Sequence, residues 1–225
     1  MMLTPWMTLS LLATLAFLAG SIPFGLVLAR VMKGIDLRNY GSGNIGAANA
    51  FRALGPIGGT LVLLLDGFKG WGMVWLAAHL FGCPPSWMAE VSGMTLGLEW
   101  IEPTAPLAQV VVGLAAIIGH NNSLYLGFKG GKGIATTFGV MLAISPSATL
   151  VAALVWLAAV GLTRYSSVGS LSAALAIPIT LHFQCAPKEY VAFGLIACAF
   201  AFLKHKKNIR NLLRGEELKL GRREE

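Results

Sequence analysis

The stretch TPWMTLSLLATLAFLAGSIPFGLVLA, residues 4–29, runs 26 positions without a charged side chain. A bilayer is crossed by roughly 20 apolar residues in helical form, so this stretch alone puts the chain in a membrane. It lacks the basic leader of a signal peptide and stays apolar up to Arg30, so it reads as a retained first span. Further apolar segments lie at residues 54–81, 106–127, 134–144, 147–162, 168–183 and 190–203. Several later ones fall short of about 20 residues, which suits tilting, local thinning of the bilayer or pairing as a split hairpin. Pro146 and Pro178 fit breaks or kinks. The expected fold is all-α, a polytopic transmembrane bundle of about seven spans. One membrane domain would cover residues 1–225 and end in a basic tail over 204–225.

Composition agrees. Hydrophobic residues make up 56% of the 225, charged residues 12%, and the mean hydropathy is +0.70; soluble domains carry about 25% charged residues. The net charge of +7 matches anionic lipid headgroups better than nucleic acid, because no aromatic-interleaved basic stripe is present. Cys83, Cys185 and Cys198 are odd in number, lack CxxC spacing and have no His cluster beside them, so neither a disulfide framework nor a metal site is expected. No cofactor is implied.

Basic residues orient the bundle, since cytoplasmic loops carry the excess. The 30–52 connection holds Arg30, Lys33, Arg38 and Arg52, whereas the 82–105 connection holds Glu90, Glu99 and Glu102 and no basic residue. Lys129, Lys132, Arg164 and the tail are basic again. Seven spans, with the N-terminus outside and the C-terminus in the cytoplasm, satisfy all of these connections, with Lys188 the exception.

Three polar elements then share the cytoplasmic face. The first contains Gly41, Ser42, Gly43, Asn44, Gly46, Asn49 and Arg52. It satisfies GxGxxG literally but has no preceding strand, so a dinucleotide fold is not indicated. Glycine N–H groups can form an anion nest, with Ser42, Asn44 and Asn49 as neutral donors and Arg52 as a bidentate one. A turn between two helices is the plain alternative. The second element runs from Gly119, His120, Asn121 and Asn122 to Phe128, Lys129, Gly130, Gly131, Lys132 and Gly133, opening into the helix expected at 134–144. It departs from a Walker A loop at Leu126 and Gly133, so nucleotide hydrolysis is not implied. Two ammoniums and several backbone N–H groups at a helix N-terminus suit a phosphate. The third is the tail, where His205 and Asn208 share a helix face just after the last span.

Inside the 54–81 segment, Asp66 and Lys69 are spaced i, i+3 and can pair. Such a pair marks a polar cavity or an intrahelical bridge. His79 and His182 read as interfacial residues.

Taken in order, Ser21-Ile22-Pro23-Phe24-Gly25, the Gly41 to Asn49 motif with Arg52, Asp66 to Gly70, His120 through Thr136, and His205, Asn208, Gly215 and Glu217 resemble the bacterial acyl-phosphate:glycerol-3-phosphate acyltransferases. The resemblance covers about residues 21–217. It departs from the family at Ala48, Asn122, Ser123 and Asn211, where Thr, an aromatic residue, proline and Arg are usual. It implies a seven-helix enzyme of the bacterial inner membrane, with its active site at the cytoplasmic face. The enzyme transfers a fatty acyl group from acyl phosphate to glycerol 3-phosphate, giving lysophosphatidic acid and phosphate, without a required protein partner. By the same resemblance the catalytic residues are His205, Asn208, Ser42 and Arg52. Substrate binding would fall to Gly41, Gly43, Asn44, Asn49, Lys69, His120, Lys129, Gly130, Gly131, Lys132 and Gly133, while Asp66 and Glu217 would be structural.

Both substrates carry phosphate and one carries a long acyl chain, so the residues suit a cationic site open sideways to lipid. Acyl phosphate is already an activated anhydride, and no HxxxxD signature or Ser/His/Asp set is present, so direct attack by the glycerol hydroxyl is expected. The competing class is a small organic-phosphate transporter, which calls for substrate-facing charges near mid-membrane and matched repeats. The glycine loops cluster on one face instead.

Overall fold

The computed structural model describes residues 4–81 and 104–220. The acidic residues Glu90, Glu99 and Glu102, together with Cys83, Arg222 and Arg223, lie outside the described residues. Among the described residues the secondary structure is helical: α1 (Pro5–Ser21), α2 (Phe24–Lys33), α3 (Ala47–Leu80), α4 (Ala105–Asn121), α5 (Ile134–Ile144), α6 (Pro146–Thr163), α7 (Ser166–Phe183), α8 (Lys188–Lys204) and α9 (Lys206–Arg214).

The first apolar run is not one straight rod. Pro23 has no N–H and disfavours helical ψ at Ile22, so the run breaks between α1 and α2. The carbonyls exposed by the break would be costly in a membrane, and side chains from elsewhere satisfy them. Ser123 Oγ donates to Ser21 O, and Lys69 Nζ donates to Ile22 O at 3.0 Å.

The second run also departs from the expected start at residue 54. Helix α3 begins at Ala47 and passes through a kink at Gly55, whose φ of 81° lies outside the helical range, with Pro56 next. The kink places Asn49 and Arg52 on a short helical arm rather than in a loop. Further along, α5 and α6 meet at Ser145. Its hydroxyl accepts from the Ala148 N–H, and Pro146 occupies the first turn of α6, where no N–H is needed. Pro178 lies inside α7 without ending it.

Among the described residues, five helical stretches are long and apolar enough to cross a membrane: Pro5–Lys33, Ala47–Leu80, Ala105–Leu126, Pro146–Thr163 and Ser166–Phe183. Packing pairs α1 with α4, α3 with α4 and α5, α6 with α7, and α7 with α8. Where α3 and α5 cross, a Cβ on Gly139 would collide with the Gly67 carbonyl, so two glycines set the approach. Val74, Ile117, Met141, Leu181 and Phe193 form a buried core across α3, α4, α5, α7 and α8.

Candidate active site

The α3 arm is held by one asparagine. Asn49 is 1% exposed, and its Nδ2 reaches the carbonyls of Leu37, Tyr40 and Asn44 at 3.0, 2.9 and 2.8 Å. Its Oδ1 accepts from the Ser42 N–H at 3.0 Å. Asn49 was expected to touch substrate, but its amide is spent on shaping the loop around Ser42. Asn44 likewise accepts from the Gly46 N–H at 2.9 Å, turning the chain into α3. Gly41 and Gly43 take positive φ, 51° and 70°, which bends the loop around Ser42. Arg52 projects from the arm and donates through Nη2 to Leu218 O at 3.0 Å.

The glycine loop is built around His120. This residue lies in the last turn of α4 with 4% exposure, and its carbonyl accepts from the Gly131 N–H at 3.0 Å. A Cβ on Gly130 would strike the His120 carbonyl, and one on Gly131 would strike its imidazole. These glycines are therefore required by packing, and the Gly131 N–H is not left for an anion. Lys129 is exposed and lies outside the cavity described below. Lys69, another expected ligand, is turned inward: Nζ is 2.7 Å from Asp66 Oδ1, bonds Ile22 O and faces the Phe24 ring at 5.6 Å. His120 Nδ1 lies 3.6 Å from the same Asp66 oxygen. Asp66, Lys69 and His120 form one buried polar group joining α3, α4 and the break after α1.

Lys132 reaches across to the tail. Its Nζ donates to Asn208 Oδ1 at 2.6 Å, Asn208 Nδ2 donates to Glu217 Oε1 at 2.6 Å, and Ser167 Oγ donates to the same oxygen at 2.7 Å. Burial, with the nearby cations Arg52 and Lys207, lowers the Lys132 pKa to about 8 against the opposing pull of Glu217. His205, 2% exposed, sits at the joint between α8 and α9 with Nδ1 2.7 Å from Ala201 O. A carbonyl only accepts, so Nδ1 carries the proton and Nε2 keeps the lone pair. Burial, and next the Lys132 charge, lower the His205 pKa to about 4, so the ring is neutral at pH 7.

These groups border one cavity of about 1430 Å³. At one end it is lined by Gly41, Ser42, Gly43, Asn44, Asn49, Arg52, Asp66, His120, Lys132, Gly133, His205, Asn208 and Glu217; at the other by apolar side chains from α5, α6, α7 and α8. Gly130 and Gly131 are not in its lining, and neither is Lys69.

Several lining residues were not singled out from the sequence. On α6 they fall at 149, 152, 153, 156, 157, 160 and 161, and Arg164 caps the helix. That is the i, i+3, i+4 spacing of a single face. The periodicity was readable, but in a largely apolar helix without charges nothing distinguishes a cavity face from a packing face. Lys204 also lines the cavity, and its ammonium donates to Asn121 O at 2.7 Å and Asn122 Oδ1 at 3.1 Å. Its place directly before His205 was the available signal. The tail segment closes over the mouth: Leu220 N donates to Arg164 O at 2.7 Å, and Lys219 Nζ is 5.8 Å from the Tyr165 ring centroid.

The family profile described as Glycerol-3-phosphate acyltransferase matches residues 10–215. A glycerol-3-phosphate acyltransferase of Desulforamulus reducens is 41% identical over 92% of this chain and 93% of its own length. That of Mesorhizobium japonicum is 40% identical over 96% and 98%. The fold is similar to crystal structures of PlsY (YgiH), an integral membrane glycerol 3-phosphate acyltransferase. The glycerol 3-phosphate form has a TM-score of 0.81 and 36% identity, covering 95% of this chain and 96% of the other. The lysophosphatidic acid form gives 0.79 and 34% over the same shares. With the profile and relatives covering nearly the whole chain, and a solved relative of similar fold, this protein belongs to the glycerol-3-phosphate acyltransferase family.

Proposed function

We propose that this chain transfers a fatty acyl group from acyl phosphate to a hydroxyl of glycerol 3-phosphate, releasing lysophosphatidic acid and phosphate. The observation that carries this reading is a cavity whose cationic mouth, with Arg52, Lys132 and Lys207, continues into an apolar channel. One end suits two phosphates and the other an acyl chain. The two crystal forms of the structural relative, with glycerol 3-phosphate and with lysophosphatidic acid, name an acceptor and a product of this kind.

In this mechanism the glycerol hydroxyl oxygen attacks the acyl carbonyl carbon, the C–O bond to phosphate breaks, and phosphate leaves with the electron pair. Arg52 and Lys132 neutralise the charge gathering on the leaving group. Ser42, set by Asn49, orients phosphate in the mouth. Asn208 acts mainly by holding Lys132 against Glu217. The hydroxyl proton passes to His205 Nε2 or to a phosphate oxygen. A pKa of about 4 makes His205 a weak base, and bound phosphate dianions would raise it.

Counting the 11-residue α5 and the 17-residue α8 with the five longer stretches gives seven spans, N-terminus outside and C-terminus cytoplasmic. In this reading the mouth faces the cytoplasm of the bacterial inner membrane, and residues 1–225 act as one unit with the tail folded onto it.

Purified protein given palmitoyl phosphate and glycerol 3-phosphate should form lysophosphatidic acid. Product from palmitoyl-CoA with none from palmitoyl phosphate would overturn the donor assignment. A His205→Ala enzyme should lose about 10²-fold or more in turnover if the imidazole is the base; near-normal turnover would give that role to a phosphate oxygen.

A further inference from the structure

The channel has a closed inner end, and its geometry assigns a function to that end. From Arg164 at the mouth to Thr149 at the far end, the α6 lining covers fifteen helical steps, about 22 Å at helical rise. One acyl chain of a membrane lipid covers half of the hydrocarbon core, about 15 Å, so the channel holds such a chain with room at the mouth for the reacting groups. The outer half has a lateral opening, because Leu63, Phe138 and Leu157 line the cavity and are also 42%, 41% and 59% exposed. The inner half does not. Thr149, Ala152, Ile177 and Ala197 are 2%, 5%, 7% and 4% exposed. They are backed by the core residues Ala148, Leu181 and Phe193, each fully buried. No polar group is offered there, since the Thr149 hydroxyl is bonded to Ser145 O at 2.8 Å.

We propose that this inner end, bounded by Thr149, Ala152, Ile177 and Ala197, measures the acyl chain and makes the enzyme selective for chain length. The inference rests on the acyl-phosphate reading above, and its occupant is the acyl group whose phosphate sits at the mouth of the same cavity. A chain that instead left through the opening at Leu63, Phe138 and Leu157 would extend into lipid and meet no limit. The small side chains Ala152 and Ala197 set the depth, and Ile177 is the largest of the four at the end wall.

The test measures turnover of decanoyl, lauroyl, palmitoyl and stearoyl phosphates at saturating glycerol 3-phosphate, for the wild-type protein and two variants with opposite expectations. Ala152→Phe shortens the end, and the ratio of palmitoyl to decanoyl turnover should fall about tenfold, equivalent to about 1.4 kcal/mol of transition-state discrimination. Ile177→Ala deepens it, and the stearoyl to palmitoyl ratio should rise severalfold. The second variant keeps the test decisive if the phenylalanine disrupts packing. Ratios within twofold of wild type in the folded variants would overturn the ruler and leave the acyltransferase reading standing. Absence of product from wild-type protein with every acyl phosphate would sink the donor reading and the ruler with it.

Discussion

Lys132 and His205 face the same cavity, and burial shifts both toward their neutral forms, with different consequences at neutral pH. Lys132, lowered to about 8, remains mostly an ammonium at pH 7. As pH rises through about 8 it loses its proton and with it the charge proposed to hold phosphate, so kcat/KM should decline on that limb. Bound phosphate favours the charged form, so the corresponding limb in kcat should lie at higher pH. Lys132→Met should remove the limb and cost about 1.5–3 kcal/mol of transition-state binding, the worth of a charged hydrogen bond. A pH–rate profile that keeps its limb in this variant would assign the titration elsewhere. His205, lowered to about 4, is protonated only in acid, so the neutral ring needed to accept a proton is available across the working range and is lost as pH falls through about 4. The residue types were legible in the sequence, and their separate duties were not. Asn49, Asn208, Gly130 and Gly131 looked like ligands because small polar residues and glycines serve anion binding and tight packing equally well. Only the carbonyls around Asn49 and the His120 ring against Gly131 show which duty applies.

At the scale of elements, the site depends on α8 and α4 keeping register, because His205 directly follows α8 and α4 carries His120 beneath the glycine loop. Lys204 makes that tie. Its ammonium bonds the carbonyl of Asn121, the last residue of α4, where the helix dipole and an unpaired C=O both favour a cation. Asn122 Oδ1 adds a second acceptor at 3.1 Å. Lys204→Met should therefore lower kcat with little change in KM, and Lys204→Arg should restore most of the loss. A rise in KM alone would show that Lys204 holds substrate phosphate directly. Gly131→Ala drives a methyl group into the buried His120 ring and should cost about 1–3 kcal/mol of stability, read as a lower Tm in detergent. The ends of α5, α6 and α7 follow the apolar segments in the sequence to within about two residues. The break at Pro23 and the arm before Gly55 did not follow them, because hydropathy marks what is buried in lipid and says little about where a helix bends.

For the whole molecule, the cavity gathers Arg52, Lys132, His205 and the tail at one mouth, and the positive-inside reading assigns that face to the cytoplasm. The chain carries its own reporter of this arrangement. Cys185 is exposed in the short connection between α7 and α8, which a seven-span path with the N-terminus outside places on the outer face. Lys188, the first residue of α8 beside that connection, is the basic residue that runs against the charge rule, so this is where a topology test discriminates most. Cys198, half-buried in α8, and Cys83 can be changed to serine to leave Cys185 alone. In that background an impermeant maleimide should label Cys185 in intact spheroplasts. A Lys219→Cys variant, made in the same background with Cys185→Ser, should react only in inside-out vesicles. The reverse pattern would turn the mouth outward, away from a cytoplasmic supply of both phosphorylated substrates. Agreement would make the charge distribution sufficient to orient the bundle, because the basic loops that set its direction also furnish Arg52, Lys132 and Lys207 at the cavity mouth. The same positive charges would then orient the protein and select its anionic substrates.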